Sequence, residues 1–401
     1  MKDLFYGIGI FTFLVILFIF IFAPIKNQKR IVLWAFLKIL FFISLFFSWR
    51  TDNIVLKWIL IEVSTLLGAV LISSSGTRKT FQVGWKFLLI NSYSLGIAFL
   101  GLILLLFASA ELQELNFINL KVGLEGGNKF LIESGILLVI FGYSGKLGLV
   151  PNHQWVGDTY AESSSQISSL IASFVPVSIL LAIRPFFQLE KEINHHWFNT
   201  VNVLIFMGGL TILFAIFILQ IREDIRRITA KIALFHTGLL PVCLWFGEDD
   251  DFFYFLLAST VLLKLILFLA MGILRLDSGT RFIPEMLKKI SISKKSYYVY
   301  LISVFVAFVF PLSPIFVLDL ELIRRISISE NFLFLLFPIL SVFFFFICLK
   351  KILPIIQIPN RDFLDTSHRI LTIRTVTFYF VFFVSILLSL YGGHFFLRDF
   401  L

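Results

Sequence analysis

The chain has 401 residues, of which 59% are hydrophobic and 15% charged, with a mean hydropathy of +0.96. Soluble domains carry about 25% charged residues, so this composition excludes one and describes a polytopic membrane protein. The net charge of +9 does not indicate nucleic acid, because the basic residues sit in short connections between apolar runs, where they report topology.

A helix crosses the hydrocarbon core in about 17–25 residues, and the chain divides into about twelve such runs. In chain order they cover roughly 4–24, 31–49, 54–73, 82–108, 131–156, 166–185, 199–221, 229–247, 251–275, 297–323, 331–350 and 371–393. The first run lacks a small-residue cleavage site and is expected to remain as a span. The many Phe residues, as in Ser341-Val-Phe-Phe-Phe-Phe-Ile-Cys348, read as lipid-facing and inter-helix packing. Cys243 and Cys348 have neither metal-ligand spacing nor an evident disulfide partner. No phosphate loop or cysteine cluster is present, so no cofactor is expected and any redox chemistry belongs to other subunits.

Two spans are interrupted. The fifth carries Gly142, Gly145, Gly148 and Pro151; the tenth carries Pro311 and Pro314, followed by Asp319 and Glu321. Proline removes a backbone donor and clashes with the preceding turn. An interrupted helix at membrane depth is tolerated only where protein or a wet cavity surrounds it. The interruptions lie five spans apart, an odd number, so the two halves face opposite ways. This predicts two inverted five-helix repeats, spans 2–6 and 7–11, within an all-α membrane fold.

Three ionisable residues fall at mid-span: Glu62, Lys146 and Lys264. A lysine at the bilayer centre costs at least about 2.5–3.5 kcal/mol. Each is either half of a helix–helix salt bridge or a proton-exchanging group, and three together favour the second reading. Glu62 and Lys146 are expected to pair. Lys38 and Lys86 lie within two turns of a span end and read as snorkelling side chains. His236 is either a packed core residue or a relay group. His195 and His196, adjacent in a connection, read as solvated.

Basic connections alternate with acidic ones. Lys26, Lys29 and Arg30, then Arg78 and Lys79, then Arg222, Arg226 and Arg227, then Arg281, Lys288 and Lys289, then Lys350, Lys351, Arg361 and Arg369 share one side. Glu111, Glu114, Glu190, Glu192 and Glu248-Asp-Asp-Asp251 share the other, with Asp158 and Glu162 as the exception. With twelve spans both termini are expected outside the cytoplasm.

The stretch Gly142-x-x-x-Lys146-x-Gly-Leu-x-Pro151-x-His153-x-Trp155-x-x-Asp158-x-x-x-Glu162 resembles the signature of the antiporter-like proton-translocating subunits. These occur in respiratory complex I, Mrp-type cation/proton antiporters and hydrogenase-4/formate hydrogenlyase complexes. Trp58-Ile-Leu-Ile-Glu62-Val-Ser-Thr-Leu66, Gly84-Trp-Lys-Phe-Leu-Leu-Ile90, Arg222-Glu-Asp224-Ile-Arg-Arg227 with His236-Thr-Gly238, and Leu263-Lys264-Leu-Ile-Leu-Phe268 are similar to further family segments, in family order, over about residues 50 to 325. The likeness is nearest to the hydrogenase-4 type membrane subunit. It implies that Glu62 modulates Lys146, that Lys146 is the switching site of a first half-channel, that Lys264 connects the central axis, and that Glu321 or Asp319 is the exit-side carboxylate. Phe174-Val-Pro-Val-Ser178, Thr260 and Ile232-Ala233 depart from the family pattern.

The expected organisation is N-terminal helices over 1–49, a proton-translocating core over 50–325 and C-terminal helices over 326–401. The expected function is proton conduction in a multisubunit redox complex of the inner membrane, alongside other membrane and peripheral subunits and the lipid bilayer. Sodium is the alternative ion. An Mrp-type antiporter subunit and a non-conducting scaffold are the alternative functions.

Overall fold

Runs of apolar residues interrupted by Gly, Pro and short polar connections fold as sixteen helices in the computed structural model, which describes residues 1–22, 28–109, 116–124, 127–192, 200–219, 224–247, 249–288, 293–357 and 366–396. They are α1 (Lys2–Ile21), α2 (Gln28–Arg50), α3 (Ile54–Ile72), α4 (Arg78–Ala108), α5 (Phe117–Gly123), α6 (Lys129–Leu147), α7 (Gln154–Glu162) and α8 (Ser165–Glu192), followed by α9 (Thr200–Leu219), α10 (Ile225–Phe246), α11 (Asp250–Ser278), α12 (Ile283–Leu287), α13 (Lys294–Phe308), α14 (Pro314–Ile328), α15 (Leu336–Ile352) and α16 (Thr366–Phe396). Lys26, Glu111, Glu114, His195, His196, Arg222, Glu248, Lys289 and Arg361 lie outside the described residues, as do the side chains of Lys29, Arg30, Glu192 and Arg369.

Eleven helices among the described residues are long and apolar enough to cross a membrane. The expected tenth span, 297–323, is divided into two helices too short to be counted among them: α13 ends at Phe308 and α14 begins at Pro314, each 15 residues long. Pro311 has no N–H to continue α13. Ser313 then caps α14, its hydroxyl accepting from Phe316 N at 3.1 Å, with Pro314 at the first helical position. The expected fifth span is likewise divided. α6 ends at Leu147, and Gly148 takes a left-handed φ of +93° as its C-cap. Pro151 lies in the turn before α7.

The chain forms two compact units: Met1–Lys26 with Ser164–Ser173 and Phe214–Leu401, and Asn27–Ser163 with Phe174–Leu213. In the first unit, α11 is the hub: nearly all its apolar residues are buried, against α1, α10, α13 and α16. The chain amine stands 3.6 Å from Asp251, and Phe396 packs on Phe252 and Phe255 with ring centroids 6.1 and 5.3 Å apart. Met1 and Phe396 therefore both lie at the Asp250 end of α11.

In the second unit, α4 and α6 pack backbone to backbone. A Cβ on Gly142 would stand 2.3 Å from Ala98 N, and one on Gly101 would stand 2.6 Å from Gly135 O. Gly142 and Gly145 were expected at the helix break; they lie within the continuous part of α6 and serve close approach, while Gly148 and Pro151 make the break. α2 faces α8 through a stripe in which Phe42 meets Phe174 at 5.1 Å and the Trp49 indole donates to Ser178 Oγ at 2.6 Å.

Candidate functional site

Each unit buries one of the mid-span lysines. In the second unit, the last turn of α6 presses against α4 and carries Lys146 inward, with no exposed surface. Its ammonium donates to Thr65 Oγ1 on α3 and lies 5.5 Å from the centre of the Phe87 ring. Trp155 walls this pocket. Its indole N–H donates to the Gly145 carbonyl at 3.1 Å, and its ring meets Phe87 edge-on at 5.2 Å.

Glu62 lies one turn before Thr65, on the same face of α3. One of its oxygens accepts from Ser92 Oγ at 2.5 Å; the other, Oε2, is buried without a hydrogen-bond partner. Glu62 acts on Lys146 through its charge but forms no salt bridge with it. Thr65 takes the place at the ammonium expected for the carboxylate.

The rest of the family-like motif surrounds the break. Asp158 pairs with Lys86 at 2.9 Å, so Lys86 ties α4 to α7 rather than snorkelling. His153 lies beside the Pro151 carbonyl and in the field of Lys86. Glu162 ends α7, half-buried. Lys38 does not snorkel either: it is 2% exposed.

In the first unit, Lys264 of α11 is fully buried and reaches α10, donating to the Ala233 carbonyl at 2.6 Å and to Thr237 Oγ1 at 2.9 Å. The small Ala233 leaves its carbonyl accessible. His236, the neighbour of Thr237, lies in the field of Lys264 and against the Ala307 carbonyl. In an unbroken α13 that carbonyl would accept from residue 311, which is proline and has no N–H. The histidine thus stands where the second helix break frees a backbone acceptor. Its Nε2 is buried without a hydrogen-bond partner, and its ring centroid is 5.0 Å from that of Phe308.

The two candidate exit carboxylates of α14 differ. Glu321 is fully buried and clamped by its own helix: Arg324 donates to it at 2.7 and 2.6 Å, and Arg325 at 2.8 Å. Arg325 also donates to the Phe246 carbonyl at 2.9 Å and to Asp249 at 2.5 Å. Two guanidiniums on one carboxylate hold it by charge-assisted hydrogen bonds in a fixed geometry. Asp319 is half-buried, lies in charge contact with Cys243 of α10, and makes no salt bridge among the described residues. Cys243 is two turns beyond His236. Asp224 caps α10, accepting from Arg226 N at 2.9 Å, and pairs with Arg281 at 3.4 Å.

Thr65, Ser92 and Phe87 were not singled out from sequence. The signal was available for Thr65, three residues beyond Glu62, but a hydroxyl in an apolar helix is ordinarily satisfied by its own backbone. Glu133 and Glu190, expected at span edges and in a connection, are buried; Glu190 accepts from Thr200 N at 2.7 Å.

A family model for NADH:quinone oxidoreductase/Mrp antiporter membrane segments matches residues 51–345. The chain is 26% identical over 202 residues to a hydrogenase-4 component F homolog of Methylacidiphilum infernorum, covering 49% of this chain and 42% of the relative. It is 25% identical over 194 residues to NADH-quinone oxidoreductase subunit N of Deinococcus radiodurans, covering 48% and 39%. Each match spans under half of the relative's own length. In fold, the chain resembles a subunit of the archaeal membrane-bound sulfane sulfur reductase, with a TM-score of 0.82, 19% identity and coverage of 98% of this chain and 80% of that one. It also resembles subunits of the Mrp complex from Dietzia sp. (TM-score 0.74, 15% identity, coverage 98% and 83%) and of complex I from Thermus thermophilus (TM-score 0.72, 13% identity, coverage 98% and 84%). All three are multisubunit membrane complexes. With the family match covering more than half of its length, this multi-pass membrane chain belongs to the NADH:quinone oxidoreductase/Mrp antiporter membrane-subunit family.

Proposed function

We propose that the chain is the proton-conducting membrane subunit of a hydrogenase-4/complex I-like redox complex. One observation carries this reading: each unit buries a lysine beside a broken helix, and neither ammonium forms a salt bridge with a carboxylate among the described residues. A buried lysine that merely staples helices needs a buried counter-charge. Hydroxyl and carbonyl acceptors instead tolerate both the charged and the neutral amine, as a relay requires. Lys146 exchanges protons under the field of Glu62. Lys264, His236 and Asp319 carry them in the other unit, with Glu321 as an anchor.

This reading takes spans 2–6 and 7–11 as inverted repeats, with breaks at Pro151 and Pro311 in equivalent places. The core is 50–325, the chain lies in the inner membrane, and both termini face outside. Partner subunits supply the redox chemistry, and protons are the transported ion.

The test is purification of the tagged chain from its native membrane in mild detergent. Iron–sulfur and dehydrogenase or hydrogenase subunits should co-purify, and vesicles holding that complex should take up protons during turnover. Co-purification with small antiporter subunits alone would move the assignment to an Mrp-type exchanger. A complex that turns over without proton uptake would make the chain a scaffold.

A further inference from the structure

Arg374, on α16 of the first unit, has no place in the relay. It is 8% exposed and makes no hydrogen bond or ion pair among the described residues. A guanidinium cannot shed its proton to escape burial, and an isolated buried charge is costly. The chain therefore leaves a positive charge for something else to neutralise.

Its surroundings restrict what that is. Arg374 lines a cavity of about 10 Å³, room for one water-sized sphere, with Ser165, Gln166 and Ser169. Gln166 is spent on the Ile19 carbonyl at 3.2 Å, whereas Ser169 Oγ is buried without a partner. Bringing Ser165 and Arg374 against α11 relies on Gly272, where a Cβ would stand 2.6 Å from Ser165 Oγ. Ile16 and Ile19 of α1 complete the wall.

The same two helices, α1 and α16, also form an apolar groove of about 740 Å³. Val15, Phe18 and Ile21 line one side and Ile373, Val376 and Thr377 the other, so Arg374 lies between groove-lining positions of its own helix. Arg374 is about two turns into α16, at the end entered from the basic connection 351–370.

The geometry points to an anionic phospholipid as the occupant, its acyl chain along the α1/α16 groove and its phosphate neutralising Arg374. Phosphate matches the guanidinium fork, and a water in the cavity behind links it to Ser169. Anionic lipids are concentrated in the cytoplasmic leaflet, the side to which the basic connections assign this end of α16. A lipid supplies in one molecule both the apolar body and the negative charge that this site lacks.

The test is heat denaturation of the purified full chain in uncharged detergent, with equal mole fractions of phosphatidylglycerol, phosphatidylcholine or diacylglycerol, or with inorganic phosphate. Phosphatidylglycerol should raise the wild-type midpoint by about 4 °C more than either other lipid. Arg374→Gln should erase that difference, and Arg78→Gln, at an exposed position that does not line the groove, should keep it. Arg374→Lys, which retains charge without the fork, should keep part of it, and serves if the glutamine variant does not fold. Equal response of the wild type to phosphatidylglycerol and phosphatidylcholine would overturn the proposal. So would full phosphatidylglycerol selectivity in Arg374→Gln. Equal protection by inorganic phosphate would make this an anion site without a lipid. A preference absent from the isolated chain, with Arg374 required only in the assembled complex, would assign the counter-charge to a partner's carboxylate; either result contradicts the lipid.

Discussion

At Lys146 the ammonium's hydrogen-bond acceptor is a hydroxyl, and that determines what substitutions there do. Thr65→Val keeps shape and removes the acceptor, leaving a buried ammonium poorly satisfied. It should cost about 1–3 kcal/mol in stability and slow proton movement several-fold, checked by denaturation and by vesicle proton uptake. In the other unit, Asp319→Asn should reduce flux with little loss of stability. Glu321→Gln should do the reverse, because it removes the buried charge that Arg324 and Arg325 clamp, at about 1–3 kcal/mol. Equal stability of the two variants would remove the distinction between relay and anchor. The mid-span placement of Glu62 and the burial of Lys146 and Lys264 were legible in the sequence, since a charge inside an apolar run has little choice of environment. Their hydrogen-bond partners were not, because Thr65, Ser92 and Ala233 come from other helices and carry no pattern of their own.

Between helices, the break positions were readable because proline and a left-handed glycine act locally. The close approach of α4 and α6 was not. Gly142 looks the same in sequence whether it frees the backbone or admits a neighbour, and only the position of Ala98 decides. Gly142→Ala should force α4 and α6 apart, at a cost of at least about 1–3 kcal/mol, and displace Lys146, which follows on the same helix. A lowered thermal midpoint with lost flux is expected; an unchanged midpoint would contradict backbone contact. The tenth span, 297–323, divides where its prolines lie, and only its continuous hydropathy hid that the two pieces are separate 15-residue helices.

For the molecule as a whole, Met1 and Phe396 both lie at the Asp250 end of α11, and the proposal counts α13 and α14 together as one crossing. The proposed orientation, with this end outside, rests on the alternation of basic connections. Cysteine placed at Asp250 should react with impermeant reagent from outside, and cysteine at Lys288 only from the cytoplasm. Native Cys243 and Cys348 are buried and give little background. Labelling at Asp250 only from the cytoplasm would invert the topology.

Proton uptake by vesicles holding the assembled complex, compared between wild type, Lys146→Ala and Lys146→Arg at equal protein levels, tests the relay most directly. Both variants should assemble and lose coupled uptake. Alanine has no proton to carry, and arginine does not release one. Wild-type uptake from Lys146→Ala would remove the lysine from the mechanism and leave the chain a scaffold.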